Sequence, residues 1–327
     1  MNAEPTFSEL DPGLVLDAVE SLGMQCDGRQ LALNSFENRV FQVGIEDDVP
    51  VIAKFYRNGR WSDQQIAEEH AFALECAEHE LPLVPPMTLE GRTLHRHGGF
   101  RFAVYERRGG HAPPMDDPAA LKVLGRFLAR LHNVGAASRF AHRPVIDVDA
   151  YGHRPRRLVL ESDLLPPELV ESYSSVSEHL LERIGERMAA AGYATLRLHG
   201  DFHPGNVLWR DEAPSVVDLD DARTGPAVQD LWMFLPGERE EREHALSALL
   251  EGYTAFRDFD PGELQWIEPL RTLRLIHYAG WLSERHEETA FRQAFPWFSQ
   301  PRWWEQHILT LREQLAAIDE PSLAWQA

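Results

Sequence analysis

The first hundred residues contain short runs of β-favouring, alternating side chains. The runs VFQVGI (40–45) and VIAKFY (51–56) are separated by the polar turn EDDVP, and the runs TLHRH and FRFAVYE are joined through Gly98 and Gly99. Between the two pairs of runs, apolar residues recur every three to four positions, which is the spacing of a helix. Ser62 and Gln65 form a capping box at the start of this segment. The pattern predicts an antiparallel sheet with one helix.

The run VIAKFY contains a single lysine, Lys54. Because successive side chains of a strand point to opposite faces, Lys54 is aimed away from the face of Ala53 and Phe55. The lysine is then directed at a sheet face instead of hanging from a loop. The alternative is an edge strand, on which a lysine serves solubility and prevents edge-to-edge aggregation.

The segment RRGGHAPP (107–114) is rich in Gly and Pro and divides the strand-rich part from a part with helical period. A helix opens at Asp117 and Pro118, and further amphipathic stretches lie at 170–188, 241–257, 262–284 and 302–318. Two short apolar pieces, LRLH and SVVDL, interrupt this helical half. We predict an α+β fold of two lobes: a β-rich lobe at 1–106, a joint at 107–114 and a helical lobe at 115–327, with a ligand cleft at the boundary.

Composition excludes several classes of protein. The 327 residues carry 52 acids and 32 bases, a net charge of −20, so nucleic acid is not expected as a partner. The acidity suits solubility, or alternatively a cationic substrate. Cys26 and Cys76 lie far apart and support neither a disulfide framework nor a zinc site. No run approaches a membrane span, and the acidic N-terminus lacks the features of a secretory signal. We therefore expect a cytoplasmic protein.

The densest chemistry lies in HGDFHPGN (199–206), which places His199, Asp201, His203 and Asn206 in one Gly- and Pro-containing loop. One interpretation is a transition-metal site built on the two histidines and Asp201, but the further ligand motifs of metallophosphoesterases are missing. The better interpretation is phosphoryl transfer. Asp201 and Asn206 lie five residues apart, as do the base and the Mg²⁺ ligand of the kinase loop HRDxxxxN.

A kinase also needs a second metal-binding acid and a phosphate-binding lysine. Asp218, which ends the apolar run SVVD, supplies the acid, and Lys54 supplies the cation. Kinases pair this lysine with a helix glutamate, and Glu68 and Glu69 follow Lys54 by 14 and 15 residues. We prefer Glu69 slightly, because neighbours on a helix point about 100° apart.

These residues resemble the aminoglycoside phosphotransferase and choline kinase superfamily, in which HGDxHxxN is followed by an apolar strand that ends in an aspartate. The segment GRFLARLHNVG (125–135) resembles the helix before the catalytic loop, and Asp230 resembles the acid that braces this loop. The resemblance covers most of the chain. It implies the bilobal protein-kinase-like fold and an ATP- and Mg²⁺-dependent transfer to a hydroxyl group.

The resemblance also implies roles. Asp201 and Asp218 would be catalytic, Asn206 and Asp218 would bind Mg²⁺, and His199 would brace the loop. The residues expected to meet ATP are Ser35, Lys54, Glu69, Glu106, Asn206 and Asp218, with backbone groups near Glu106 and Arg107 at the adenine. The phosphate turn departs from the family of protein kinases, since NSFENRV contains no glycine where they carry GxGxxG. Asp220 and Asp221 are open between metal binding and a solvated acid pair.

Within the superfamily, NSFENRVFQV, AKFYRNGRW and DLDDARTGPAVQDLW resemble a bacterial branch of cytoplasmic serine/threonine protein kinases. That likeness implies a protein Ser or Thr as acceptor, and autophosphorylation. The alternatives are a small-molecule kinase for an aminoglycoside, choline-like alcohol or amino-alcohol, and a nucleotide-binding regulator without turnover. Trp303, Trp304 and residues 296–298 form either an acceptor site or ordinary aromatic packing. We expect a monomer.

Overall fold

The computed structural model describes residues 6–325. The first five residues of the acidic N-terminal segment lie outside that range. Within that range the chain forms two compact units that do not follow chain order: the first combines residues 6–143, 199–222 and 248–258, and the second combines the remaining described residues. The first unit therefore holds both the predicted sheet and the loop HGDFHPGN. The division of the chain at 106 and 114 stays a prediction.

A five-stranded antiparallel sheet forms the centre of the first unit, in the order β1-β2-β3-β5-β4. The strands are β1 (Cys26–Ala32), β2 (Arg39–Ile45), β3 (Val51–Phe55), β4 (His95–His97) and β5 (Phe100–Glu106). The four predicted runs are confirmed as β2, β3, β4 and β5. We did not predict β1, because its sequence CDGRQLA lacks a regular alternation of apolar and polar residues.

Strand β3 has two different faces. Ala53 and Phe55 are fully buried in an apolar cluster with helix α1 (Pro12–Glu20). Lys54 lies on the other face, opposite Ala103 of β5, and is also buried. The edge-strand interpretation of this lysine is wrong, because β3 is the middle strand of the sheet. A cation at this position has to be stabilised by other charged groups.

Two helices of the first unit begin where the caps predict. Helix α2 (Asp63–Glu78) has Ser62 as N-cap with a complete capping box, and helix α3 (Pro118–Ala137) is capped by Asp117. Glycine is required where α3 meets the last part of helix α6 (Arg239–Tyr253). A Cβ atom on Gly125 or Gly252 would lie 2.0 Å from a backbone oxygen of the other helix.

A β-hairpin follows the loop HGDFHPGN. Strand β7 (Val207–Arg210) pairs with β8 (Ala213–Val216), and the amide of Val216 donates to Pro82 O at 2.8 Å while its carbonyl accepts from Val84 N at 2.9 Å. These bonds attach the end of β8 to the segment that follows α2. The residue after next, Asp218, is thereby fixed in the same unit as Lys54.

The second unit is mainly helical. Its elements are α4 (Arg154–Glu161), α5 (Val170–Ala191), the first part of α6, α7 (Ile267–Arg285), α8 (Thr289–Ala294), α9 (Pro301–Ala317) and the strand pair β6 (Leu196–Leu198) and β9 (Arg223–Gly225). The predicted α+β fold class is confirmed. Between residues 6 and 325, no helix is both long and apolar enough to cross a membrane.

Aromatic side chains pack together at the start of α9. Trp304 and Phe298 are fully buried, and the ring centroids of Phe298 and Trp303 lie 4.7 Å apart. Trp297 is 38% exposed at the margin of this group. The packing interpretation is confirmed for Phe298 and Trp304, whose rings are inaccessible to an acceptor.

Candidate active site

Lys54 lies between two carboxylates. Its Nζ is 2.8 Å from Asp218 Oδ1 and 3.2 Å from Asp220 Oδ1, and its side chain is 8% exposed. Burial by itself lowers the pKa of Lys54, but the charges of Asp218 and Asp220 outweigh burial and hold it well above its usual value. Lys54 is therefore charged, and it lies next to Asp218, the predicted metal-binding acid.

The two candidate partner glutamates on α2 have different surroundings. Glu68 accepts hydrogen bonds from the backbone amides of Ala141, His142 and Arg143 at 2.6–2.8 Å. Glu69 is buried on the side of Lys54, and its Oε2 makes no hydrogen bond. Burial raises the pKa of Glu69 to about 7, although Lys54 acts in the opposite direction. Glu69 nevertheless forms no ion pair with Lys54 within 4 Å.

The loop HGDFHPGN is folded onto the segment after β8. His199 is fully buried and donates from Nε2 to Val217 O at 3.0 Å, while Val217 N donates to Asn206 O at 3.0 Å. Within the loop, the side-chain amide of Asn206 donates to Asp201 O at 3.0 Å. Asp201, Asn206 and Asp218 are thus brought together by local hydrogen bonds, and His199 braces the loop as the resemblance implies.

His203 is oriented by its own turn. Gly205 N donates to its Nδ1 at 3.0 Å, which leaves Nε2 as the protonated nitrogen, and Nε2 lies 3.5 Å from Asp201 Oδ2. The ring is 35% exposed and the Asp201 side chain 23%. His203 thereby faces the carboxylate expected to act as base, a contact that the sequence pattern did not predict.

The oxygen atoms of this region suit a hard cation. The amide nitrogen of Asn206 is used by Asp201 O, so its side-chain oxygen remains for a ligand. The Asp218 side chain is 51% exposed, on a backbone with a left-handed φ of 65°. Across the described part of the chain, no three His, Cys, Asp or Glu side chains are grouped to hold a metal. Two oxygen ligands match Mg²⁺, which keeps several waters and bridges phosphates.

The other candidate nucleotide contacts lie in the same unit. Ser35 Oγ donates to Asn38 O and accepts from Val40 N, both at 3.2 Å, so the hydroxyl stabilises the turn before β2. Glu106 ends β5 with its side chain 61% exposed and paired with Arg108 at 2.6 Å. The Glu106 side chain is thus directed to Arg108, and the backbone of Glu106 remains the part expected to contact the adenine of ATP.

Arg60 was not among the predicted site residues. Its Nη1 lies 2.6 Å from Asp220 Oδ2, and its Nη2 donates to both carboxylate oxygens of Asp221 at 2.9 Å. Asp220 is 4% exposed, so the interpretation of Asp220 and Asp221 as a solvated pair is wrong for Asp220. The sequence signal that could have pointed to a cation such as Arg60 was the acidic run DLDD, because buried acids require cations beside them.

Asp230 lies in the second unit, where it is fully buried at the end of the short turn Ala227–Asp230. Its predicted role as a brace for the catalytic loop stays a prediction.

A sheet with a buried central lysine, a loop that places an Asp and an Asn five residues apart, and an acid after the next hairpin define a kinase. The chain matches the phosphotransferase enzyme family over residues 29–267 and belongs to that family. It is 40% identical to stress response kinase A of Escherichia coli K12 over 98% of both chains. It is also 40% identical to serine/threonine protein kinase RdoA of Salmonella typhimurium LT2, over 97% of this chain and 96% of the relative.

Solved structures agree on the fold. Amicoumacin kinase in complex with AMP-PNP and Ca²⁺ has a TM-score of 0.71 at 17% identity, covering 90% of this chain and 93% of that one. A microcompartment-associated aminopropanol kinase has a TM-score of 0.71 at 15% identity, covering 94% and 98%. At such identities the likeness establishes the fold alone. The predicted membership of the phosphotransferase superfamily is confirmed.

Proposed function

We propose that the protein is an ATP- and Mg²⁺-dependent serine/threonine protein kinase of the stress response kinase A type. The observation that carries this proposal is the 40% identity to stress response kinase A along 98% of both chains. The grouping of Lys54, Asp201, Asn206 and Asp218 in one compact unit supports it.

Each residue of the set has one task in this proposal. Asp201 orients the acceptor hydroxyl and takes its proton, and Lys54 binds the α- and β-phosphates. Asn206 and Asp218 would hold Mg²⁺, and the oxygens they present fit it. When bound, Mg²⁺ would neutralise the charge of the phosphates. The loop geometry around Asp201 is the protein's own contribution to positioning.

The remaining nucleotide contacts are assigned by the same proposal. Ser35 lies at the turn that covers the phosphates, and backbone groups near Glu106 and Arg107 meet the adenine. Glu69 completes the buried surroundings of Lys54. These assignments go with the division into a lobe at 1–106, a joint at 107–114 and a lobe at 115–327, in which the adenine of ATP lies at the joint.

A second candidate is a kinase for a small alcohol. The solved amicoumacin kinase and aminopropanol kinase share the fold, and a net charge of −20 suits a cationic substrate. We place it second, because those structures are 15–17% identical whereas the protein kinase relatives are 40% identical.

The test follows the label from γ-labelled ATP. The protein is incubated with Mg²⁺ and ATP alone, with generic Ser/Thr-containing proteins, and with a panel of amino-alcohols and aminoglycosides. Label on protein Ser or Thr, including the enzyme's own, supports the proposal. Label on a small alcohol alone would replace it with the second candidate. Nucleotide binding without any transfer would indicate a regulator without turnover.

The proposal includes a cytoplasmic monomer. Size-exclusion chromatography with light scattering tests the monomer, and fractionation of cells that produce the protein tests its location.

A further inference from the structure

The geometry points to Asp220 as the residue that positions Lys54, with Arg60 holding Asp220 in turn. In this arrangement Asp220 takes the place that the kinase pattern gives to the helix glutamate, Glu69. The inference rests on the proposed function for its catalytic meaning, since Lys54 is the phosphate ligand there. Its geometric content concerns three buried or nearly buried side chains of the first unit.

The contacts of Lys54 distinguish the two acids. Asp220 Oδ1 lies 3.2 Å from Lys54 Nζ. Glu69 has no ion pair with Lys54 within 4 Å, and its Oε2 lies 3.8 Å from Nε2 of His70, whose pKa burial lowers to about 3. Burial raises the pKa of Glu69 to about 7, so this carboxyl is partly neutral near pH 7. A partly neutral acid outside ion-pair distance is a weak anchor for an ammonium group.

Asp220 is fixed and ionised. Arg60 Nη1 lies 2.6 Å from its Oδ2, and Arg143 donates to the backbone oxygens of Asp220 and, at 2.7 Å, Ala222. The buried carboxylate of Asp220 thus lies between two cations, Arg60 and Lys54, which stabilise it as an anion.

Arg60 is itself held from several sides. Its Nη2 donates to Asp221, its Nε lies 3.8 Å from Glu37 Oε1, and its guanidinium lies 5.2 Å from the ring centroid of Trp61. Burial alone would lower the pKa of Arg60, but Asp221, Asp220 and Glu37 raise it. Arg60 is therefore a fixed cation that links the acid run 220–221 to the segment after β3.

Asp218 and Asp220 then have separate tasks. Asp218 is 51% exposed and is the acid that would bind a cation from solvent, whereas the side chain of Asp220 is 5% exposed. If Asp218 turns from Lys54 to a metal ion, Asp220 keeps the ammonium group in place.

The matched pair of variants is Asp220→Asn and Asp221→Asn. Both remove one acid bonded to Arg60, but only the first removes a contact of Lys54. The first readout is acetylation of Lys54 by acetic anhydride at neutral pH, followed by mass spectrometry without nucleotide. Only the neutral amine reacts, so we expect about threefold faster labelling in Asp220→Asn and a change below about twofold in Asp221→Asn. Glu69→Gln should speed labelling less than Asp220→Asn does.

The second readout separates positioning from folding. We expect Asp220→Asn to raise KM for ATP about tenfold, with a smaller change in kcat, because the phosphate-binding cation is misplaced. KM does not depend on the fraction of folded enzyme, so a purely structural role would lower active protein and leave KM unchanged. Arg60→Gln leaves Asp220 present but removes the ion pair between its carboxylate and Arg60, and should raise KM for ATP about threefold.

Three results would overturn the inference: unchanged labelling and KM in Asp220→Asn, an equal effect of Asp221→Asn, or a larger effect of Glu69→Gln. If Asp220→Asn does not fold, an unchanged KM in Arg60→Gln overturns it. A wild-type protein that transfers no phosphate, yet shows the labelling difference, refutes the proposed function and leaves the positioning of Lys54 by Asp220 intact.

Discussion

The Lys54 cluster (Lys54, Arg60 and Asp220) and the loop HGDFHPGN belong to one compact unit but differ in their exposure and in the contacts that stabilise them. In the cluster the three side chains are 5–16% exposed and are held by direct ion pairs. In the loop Asp201 and His203 are 23% and 35% exposed, and the hydrogen bonds of the loop include Gly205 N to His203 Nδ1 and the Asn206 side-chain amide to Asp201 O. Under the proposed function, the phosphate side is thus held by its own ion pairs, while the side that would receive the hydroxyl acceptor is partly exposed.

Under the proposed function, the difference follows from the charges of the two ligands, the phosphates and the hydroxyl acceptor. Phosphates bring several negative charges, and a buried cation with fixed counter-ions meets them without rearrangement. A hydroxyl acceptor brings none and has to enter and leave, so an accessible carboxylate on a short loop suits it. Substitutions in the loop should therefore change catalysis more than stability, and those near the cluster should change both.

The largest effect is expected from Asp201→Asn. Removing the base should lower kcat by about 10³-fold, within the 10²–10⁴ range of general-base catalysis. The free energy of unfolding should change by less than about 0.5 kcal/mol, because the side chain is partly exposed. Steady-state kinetics and urea unfolding measure both. Near-normal turnover in this variant would contradict the assignment of Asp201.

Asp218 should come next, and two variants separate its roles. Asp218→Asn and Asp218→Ala should each lower kcat/KM by about 10²- to 10³-fold, since charge stabilisation by a metal is worth several kcal/mol. Asn tolerates the left-handed φ of 65°, but Ala does not. We therefore expect Ala to cost about 1 kcal/mol more in unfolding free energy than Asn. Equal stability of the two variants would show that the backbone is not strained there.

Glu69 should make the unfolding free energy of the protein depend on pH. Its pKa rises from 4.5 to about 7 on folding, so the folded state binds a proton that the unfolded state has lost. The favourable contribution is complete below pH 4.5 and is lost as pH rises through 7. Relative to wild type, Glu69→Gln should thus gain up to about 3 kcal/mol between pH 4.5 and 8. Chemical unfolding of wild type and Glu69→Gln at both pH values tests this. An equal change in unfolding free energy for the two proteins would show that Glu69 is not the group that titrates.

His203→Ala should have the smallest effect of the four. The ring faces Asp201 at 3.5 Å and accepts one amide hydrogen bond, both in a partly exposed loop. We expect kcat to fall about tenfold with KM for ATP unchanged, and stability to fall by less than about 1 kcal/mol. A rise in KM for ATP would show that the loop and the phosphate side are not separate.

Much of the first unit was predictable from its sequence. The caps at Ser62 and Asp117 fixed the starts of α2 and α3, and the alternation around Lys54 correctly placed it on a sheet face. These features depend on neighbours within a few residues, where spacing and intrinsic geometry decide. Strand β1 and the role of Arg60 escaped prediction, because β1 lacks alternation and the partners of Arg60 lie about 160 residues away in sequence.

The sequence by itself determined the family, the α+β class and the loop that carries Asp201 and Asn206, since these are written in local pattern and motif spacing. Only the tertiary structure decided which acid accompanies Lys54. Glu69 and Asp220 are both acids near the expected place, and their roles differ through burial and distance. In a medium of low dielectric, a few ångströms determine whether a carboxylate is a charged anchor or a partly neutral neighbour.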